Sequence, residues 1–260
     1  MKPKITIITC TYYRPDLLRR AILSAQRSTL QNYEHLVISD HCPFARLVCD
    51  EFSDDPRIKL IEVPGPHIYN LGAISFNLGI EIAKSDIVCY LLDDDIIYEN
   101  HLEEHYNFYQ KNKGSKCYQS RYDQANINEP NNTVKYICSN SLKEIKKHNL
   151  PDASWSDVGA MSHVKDIGVV WISQSDLGND GWEDNVFMQK INLPTGMGPT
   201  TSLKLQWGGI ARKDTKGLDK EYYDSLMSKL TVDADAHSGY VIKSSNPYVY
   251  SDMKNSLYEK

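Results

Sequence analysis

The sequence predicts an α/β fold with a mainly parallel central sheet flanked by helices, and three observations carry that expectation. Apolar, β-branched runs recur at KITIITC, YEHLVISD, RIKLIEV and DIVCYLL, the pattern of strands covered on both faces. Between them lie segments with apolar residues at helical spacing, so strand and helix alternate as in a doubly wound sheet of βαβ units. Polar residues gather just beyond the carboxyl ends of the runs, where open α/β sheets bind their ligands.

Residues 4–10 form the first expected strand. Pro15 then stands where a first helical turn tolerates it, and Leu18, Ala21, Ile22 and Ala25 recur at helical spacing. YEHLVISD is a second strand ending in Asp40, ARLVCDEF a short helix, and RIKLIEV a third strand closed by Pro64, Gly65 and Pro66. Leu71, Ile74, Leu78 and Ile82, at intervals of three and four, predict a helix packed on the sheet. DIVCYLL, the fourth strand, delivers Asp93, Asp94 and Asp95. Beyond residue 113 the order loosens. NINEPNNT is turn-rich, VKYICSN reads as a strand, and WSDVGAMSHVKDIGVVWIS mixes strand with turn. GWEDNVFMQKI is a short helix with Glu183 and Asp184 in its first turn, followed by a flexible loop over PTGMGPTTS. With no internal repeat and no linker-like composition, residues 1–260 are expected to form one domain of two unlike halves, 1–112 and 113–260.

At 260 residues, 41% hydrophobic and 24% charged, the chain has the composition of a globular protein long enough to bury a core. A net charge of -5 and a pI near 5.9 argue against a nucleic-acid partner. The 17 tyrosines suit stacking on sugar faces, with ordinary surface tyrosine an equally weighted reading. Six cysteines without a CxxC pair or zinc spacing read as reduced thiols. The opening MKPKITIITCTYY has too short an apolar run for a secretory leader, and no window approaches a membrane span. A cytoplasmic location is therefore expected, and the sequon at Asn131 reads as chance. Peripheral membrane contact needs no spanning helix and stays open.

The three aspartates pose a physical question. Two carboxylates ~4 Å apart repel by about 4 kcal/mol at an effective dielectric near 20, so a cation is expected beside them.

The stretch IITCTYYRPDLLRRAILSAQRSTLQNYEHLVISD resembles the opening of family 2 glycosyltransferases, and NLGAISFNLGIEIAKSDIVCYLLDDD and GWEDNVFM are similar to two later family segments. The match runs in order over residues 4–112, is mostly positional to residue 180, and stops after residue 192. The resemblance implies a GT-A (Rossmann-like) nucleotide-diphospho-sugar transferase fold. With it comes an inverting transfer from a nucleotide-diphosphate sugar, UDP by preference, to a glycan or glycolipid hydroxyl. Residues 1–112 would hold the nucleotide sugar and 113–260 the acceptor.

Asp95 would bind a divalent metal, Mn2+ or Mg2+, which clamps a departing diphosphate. Asp93 would meet the ribose and join Asp95 as a metal ligand, and Asp94 would meet the donor or the metal's waters. Asp40 would accept from the base's ring N–H, Thr11 and Tyr12 would line the base, and Arg14 and Asn77 would face the donor. Asp184 would take the acceptor's proton, with Glu183 orienting it. Trp182 could stack on an acceptor sugar. His237 is the late candidate for the metal, while His163 reads more readily as structural. Arg212 and Lys213 would add charge near the diphosphate.

Two departures from the family stand out: Ser75-Phe76-Asn77 replaces an Ala-Arg-Asn, and Ser39-Asp40-His41-Cys42 lacks the usual glycine. Other readings are a sugar nucleotidyltransferase, although TCTYYRPD lacks that class's phosphate-loop glycines, and a dehalogenase-like phosphatase, whose aspartates should follow an earlier strand. A glycan-binding protein of this fold without turnover is a third.

Overall fold

The computed structural model of the 260-residue chain describes residues 1–12, 14–40, 42–63, 72–128, 133–139, 157–172, 183–192 and 199–207. Strands β1 (Ile5–Thr11), β2 (Tyr33–Asp40), β3 (Ile58–Val63) and β4 (Ile87–Tyr90) form in the expected places. They alternate with helices α1 (Pro15–Gln26), α2 (Pro43–Asp50) and α3 (Ala73–Ile82). These strands lie mutually parallel in the order β3-β2-β1-β4. The strand order turns back between β1 and β4, so a crevice is created at their carboxyl ends. Thr11 and Asp93 occupy that position.

Period-two alternation in β1 divides the core. Ile5 and Ile7 pack with Ala21, Ala25, Leu91 and Leu102 on one face, and Ile8 packs with Phe76, Tyr90, Trp171 and Phe187 on the other. Helix α1 buries Leu18, Ala21, Ile22 and Ala25, as its spacing predicts. Helix α3 turns differently. Ile74 and Ile82 are exposed, while Ala73, Ser75, Phe76 and Gly79 are buried. The cause is close approach: a Cβ at Gly79 would lie 2.7 Å from Ile8 Cγ2, so the small face of a nearly all-apolar helix meets the sheet. Leu71, the first residue of the expected stripe, lies outside the described residues.

Past β4 the chain forms β5 (Ile96–Ile97), α4 (His101–Lys111), β6 (Cys117–Gln119), β7 (Arg121–Asn128), β8 (Thr133–Ser139) and β9 (Met161–Val164). Helix α5 (Glu183–Lys190) and strand β10 (Thr200–Trp207) follow. Strands β9 and β6 extend the first sheet antiparallel to β4, completing β3-β2-β1-β4-β9-β6. A second sheet runs β5-β10-β7-β8.

Two expectations are corrected. Residues 126–128, read as part of a turn-rich connection, belong to β7, and the flexible-loop reading of PTGMGPTTS fails from Thr200 onward, where β10 begins. In both cases cross-strand pairing supplies what local composition does not: β10 pairs with β7 in parallel and with β5 antiparallel. Among the described residues no helix is long and apolar enough to cross a membrane.

Candidate active site

The acidic run sits in a tight turn, with the Asp95 N–H donating to the Leu92 carbonyl at 3.0 Å. The turn sends its side chains in two directions. Asp93 and Asp94 face Arg14, whose guanidinium reaches Asp93 Oδ1 and Asp94 Oδ2, each at 2.8 Å. Arg14 precedes Pro15 at the head of α1, and its side chain makes no cap hydrogen bond. The cation is therefore supplied to the aspartates rather than to the helix.

Asp93 is almost fully buried. Burial pushes its pKa up to about 7, against the pull of Arg14 and with help from the Asp94 charge. Its Oδ2 and the buried Thr11 hydroxyl make no hydrogen bond of good geometry among the described residues, while the Thr11 hydroxyl and the Tyr12 N–H lie close enough to favour the Asp93 charge. Buried polar atoms without a well-formed hydrogen bond are uncommon and costly, and here two of them lie at the sheet's crevice. Asp40 closes β2 beside this group. Burial and then the charges of Asp93 and Asp40 raise the Cys10 thiol well above its ordinary pKa, so both carboxylates act on one residue of β1. Thr11, Tyr12, Arg14, Asp40, Asp93 and Asp94 are thus brought together.

Asp95 points the other way. An added Cβ at Gly159 would lie 3.0 Å from Asp95 Oδ2 and 3.3 Å from Asp157 Oδ1. The missing side chain lets the two carboxylates flank one spot. Asp157 is 4% exposed; its Oδ1 accepts from the Gly159 N–H at 2.9 Å and its Oδ2 accepts from the Lys204 ammonium. Strand pairing explains the lysine. Leu203 of β10 is opposite Ile96 of β5, and one further step along that antiparallel register carries Lys204 to Asp95. Burial works against the Lys204 charge, but Asp157 and Asp95 outweigh it and hold its pKa above the ordinary lysine value.

Neither Asp157 nor Lys204 is a residue that sequence reasoning selected. Lys204 had a readable signal, the alternation of Leu203, Leu205 and Trp207 with polar neighbours, which the glycine-rich segment before it obscured. Asp157 had none.

Asn77 is placed differently from the expected donor contact. Its Nδ2 donates to the Trp171 carbonyl at 2.9 Å, and its Oδ1 accepts from the Trp171 N–H at 2.8 Å. Trp171 in turn stacks on Phe187 of α5, with centroids 4.1 Å apart. This packing anchors the helix that carries Glu183 and Asp184 in its first turn. The same core holds His163: Trp171 Nε1–H donates to the Tyr90 hydroxyl at 3.0 Å, which lies 2.6 Å from His163 Nε2, while Nδ1 donates to the Val164 carbonyl at 2.7 Å. His163 is structural, as expected. His237, Trp182, Arg212 and Lys213 lie outside the described residues.

Among the described residues, no three His, Cys, Asp or Glu side chains form a group that could hold a metal ion. Asp95 and Asp157 nevertheless present the oxygen donors that Mg2+ and Mn2+ prefer, and such ions commonly complete their shell with substrate phosphates and water.

Known proteins resemble the chain in sequence and in fold. A 115-residue stretch is 31% identical to an uncharacterized glycosyltransferase of Haemophilus influenzae, covering 42% of this chain and 44% of that protein. Over 107 residues the chain is 34% identical to the succinoglycan biosynthesis protein ExoW of Rhizobium meliloti, covering 38% of this chain and 32% of that one. The matches thus span less than half the length of these relatives. In structure the chain resembles S. aureus TarS residues 1–349 crystallised with UDP-GlcNAc, at TM-score 0.61 and 11% identity, over 99% of this chain and 74% of the other. The same protein with UDP gives TM-score 0.60 at 12% identity, over 97% and 69%. That likeness establishes the GT-A fold. With residues 6–162 matching the model of the family described as glycosyl transferase family 2, the chain belongs to that family.

Proposed function

We propose that the chain is an inverting, metal-dependent glycosyltransferase that moves a sugar from a UDP-sugar to a hydroxyl of a glycan or glycolipid. The observation that carries this reading is the pair of buried polar atoms at the switch point without a well-formed hydrogen bond, Asp93 Oδ2 and the Thr11 hydroxyl. A ribose hydroxyl can donate to the first and a base edge can meet the second. Asp40 would accept from the ring N–H of uracil, and the Tyr12 ring would stack on the base. Arg14 holds Asp93 and Asp94 in place for the nucleotide.

A divalent ion, when bound, supplies positive charge for the diphosphate that leaves. Asp95 and Asp157 would hold it. Asp184, in the first turn of α5, would take the proton from the attacking acceptor hydroxyl, and Glu183 would orient that group. Residues 113–260 would supply the acceptor side. The UDP and UDP-GlcNAc complexes of a fold relative support UDP as the donor's nucleotide, and the likeness to ExoW, a succinoglycan biosynthesis protein, supports a polysaccharide acceptor.

Differential scanning with UDP and Mn2+ tests the donor site. At a ligand concentration ~100 times Kd the stabilisation is about 2.7 kcal/mol, a rise of roughly 5–10 °C for a domain of this size. Asp95→Ala should abolish the Mn2+-dependent part. Asp184→Asn should keep the shift and lose transfer from UDP-sugars. No shift with UDP and Mn2+ would refute the donor reading, and full turnover in Asp184→Asn would refute the base.

A further inference from the structure

Four carboxylates, Asp93, Asp94, Asp95 and Asp157, meet two protein cations at this rim. Arg14 is taken by the first two, and Lys204 lies against Asp157 with Asp95 beside it. The cations are held differently. Arg14 extends from the head of α1 within the first sheet, whereas Lys204 reaches in from the last described strand of the second. The Lys204 side chain is 29% exposed against 5% for that of Asp157, so the carboxylate is the more enclosed of the two. Asp157 is also the better anchored partner, because the Gly159 N–H holds its other oxygen at 2.9 Å. Among these described side chains the carboxylates outnumber the cations, which favours a further cation over an unaccompanied nucleotide diphosphate.

We propose that Lys204 is a tethered cation that occupies the Asp95–Asp157 pair in the ligand-free protein and competes there with the divalent ion. The ion then enters efficiently only with the nucleotide, whose phosphates offer Lys204 another anionic partner. Binding of ion and nucleotide is therefore ordered by a residue of β10, and Lys204 acts as a positioning residue for the cation. This inference rests on the metal-dependent reading above and adds Asp157 and Lys204 to it.

Direct Mn2+ binding, followed by the electron paramagnetic resonance signal of the free ion, tests the competition. Wild-type protein should bind Mn2+ weakly alone and much more tightly with UDP. Lys204→Gln keeps a donor for Asp157 but removes the charge, and should bind Mn2+ alone at least about tenfold more tightly. Lys204→Arg should restore wild-type weakness. If Lys204→Gln binds Mn2+ as weakly as wild type while Asp95→Asn abolishes the UDP-dependent binding, the metal reading stands and the tethered cation is refuted. If wild-type protein takes up no Mn2+ even with UDP, both are refuted. Reductive methylation of wild-type lysines, read by mass spectrometry, provides a test that needs no folded variant. Lys204 should react several-fold faster with Mn2+ at saturating concentration than without it, and an unchanged rate would overturn the proposal.

Discussion

Arg14 and Lys204 divide the acidic rim between them, which relieves the repulsion inherent in three consecutive aspartates. The division depends on a residue with no side chain. Gly159 lets Asp95 and Asp157 share one spot, and Gly159→Ala would put a methyl group 3.0 Å from Asp95 Oδ2 and 3.3 Å from Asp157 Oδ1. One or both carboxylates should be displaced. Small misplacements at a reacting centre can cost about 100-fold in rate. Steady-state assays of Gly159→Ala should show turnover down by roughly 10- to 100-fold, with the melting temperature lowered by about 4 °C at most. Unchanged turnover would mean that the positions of these carboxylates matter little.

At the scale of elements, α3 and α5 behave as one unit. Asn77 of α3 holds both backbone polar groups of Trp171, and the Trp171 ring lies flat on Phe187 of α5, at 7° between planes. A donor-side helix thereby sets the position of the helix bearing the expected base. Asn77→Ala would leave the Trp171 N–H and carbonyl without their partner, a loss of about 1–3 kcal/mol for each group left buried and unpaired. Chemical denaturation should show that loss. Kinetically, kcat should fall while UDP affinity, measured calorimetrically, stays within about twofold, because the perturbed contact lies on the α5 side. A variant that loses UDP affinity and keeps kcat would instead place Asn77 at the donor.

Among the described residues four histidines are buried, His35, His101, His105 and His163. Burial pushes His35 and His101 down to about 3 and His163 to about 4, and it lowers His105 as well. His101 and His105 lie in a polar seam joining the two sheets: His101 Nδ1 is 2.8 Å from the Thr201 hydroxyl, and His105 Nδ1 is 2.8 Å from that of Ser162. Each histidine is depressed on folding, so its contribution is complete above the unfolded value near 6.5 and is lost as pH falls below it. Asp93, raised to about 7, acts oppositely and favours the folded state on acidification. From about pH 7.5 to pH 5.5 His35, His101 and His163 cost roughly 4 kcal/mol and Asp93 returns about 2, a net loss of about 2 kcal/mol to which His105 adds in the same direction. Against a typical total of about 5–15 kcal/mol that is large. Urea midpoints measured at the two pH values should fall accordingly, and equal midpoints would show that the histidines are not kept neutral.

The order of β1 to β4, the registration of α1 and the placement of the acidic turn were legible along the chain because each depends on local pattern: continuous apolar strands, one apolar helix stripe, and charge at a strand end. The buried face of α3 was not, since an almost uniformly apolar helix has no stripe to read and the close fit of Gly79 on Ile8 belongs to the packed pair. Strand β10 was hidden for a related reason, its identity resting on partners in β5 and β7 distant along the chain. The aspartates therefore announced that positive charge was needed. Which groups supply it, Arg14 from a helix that follows β1 and Lys204 from a strand more than a hundred residues beyond the turn, was settled by the folding of remote segments onto one rim, because electrostatic pairing depends on distance in space and not on separation in sequence.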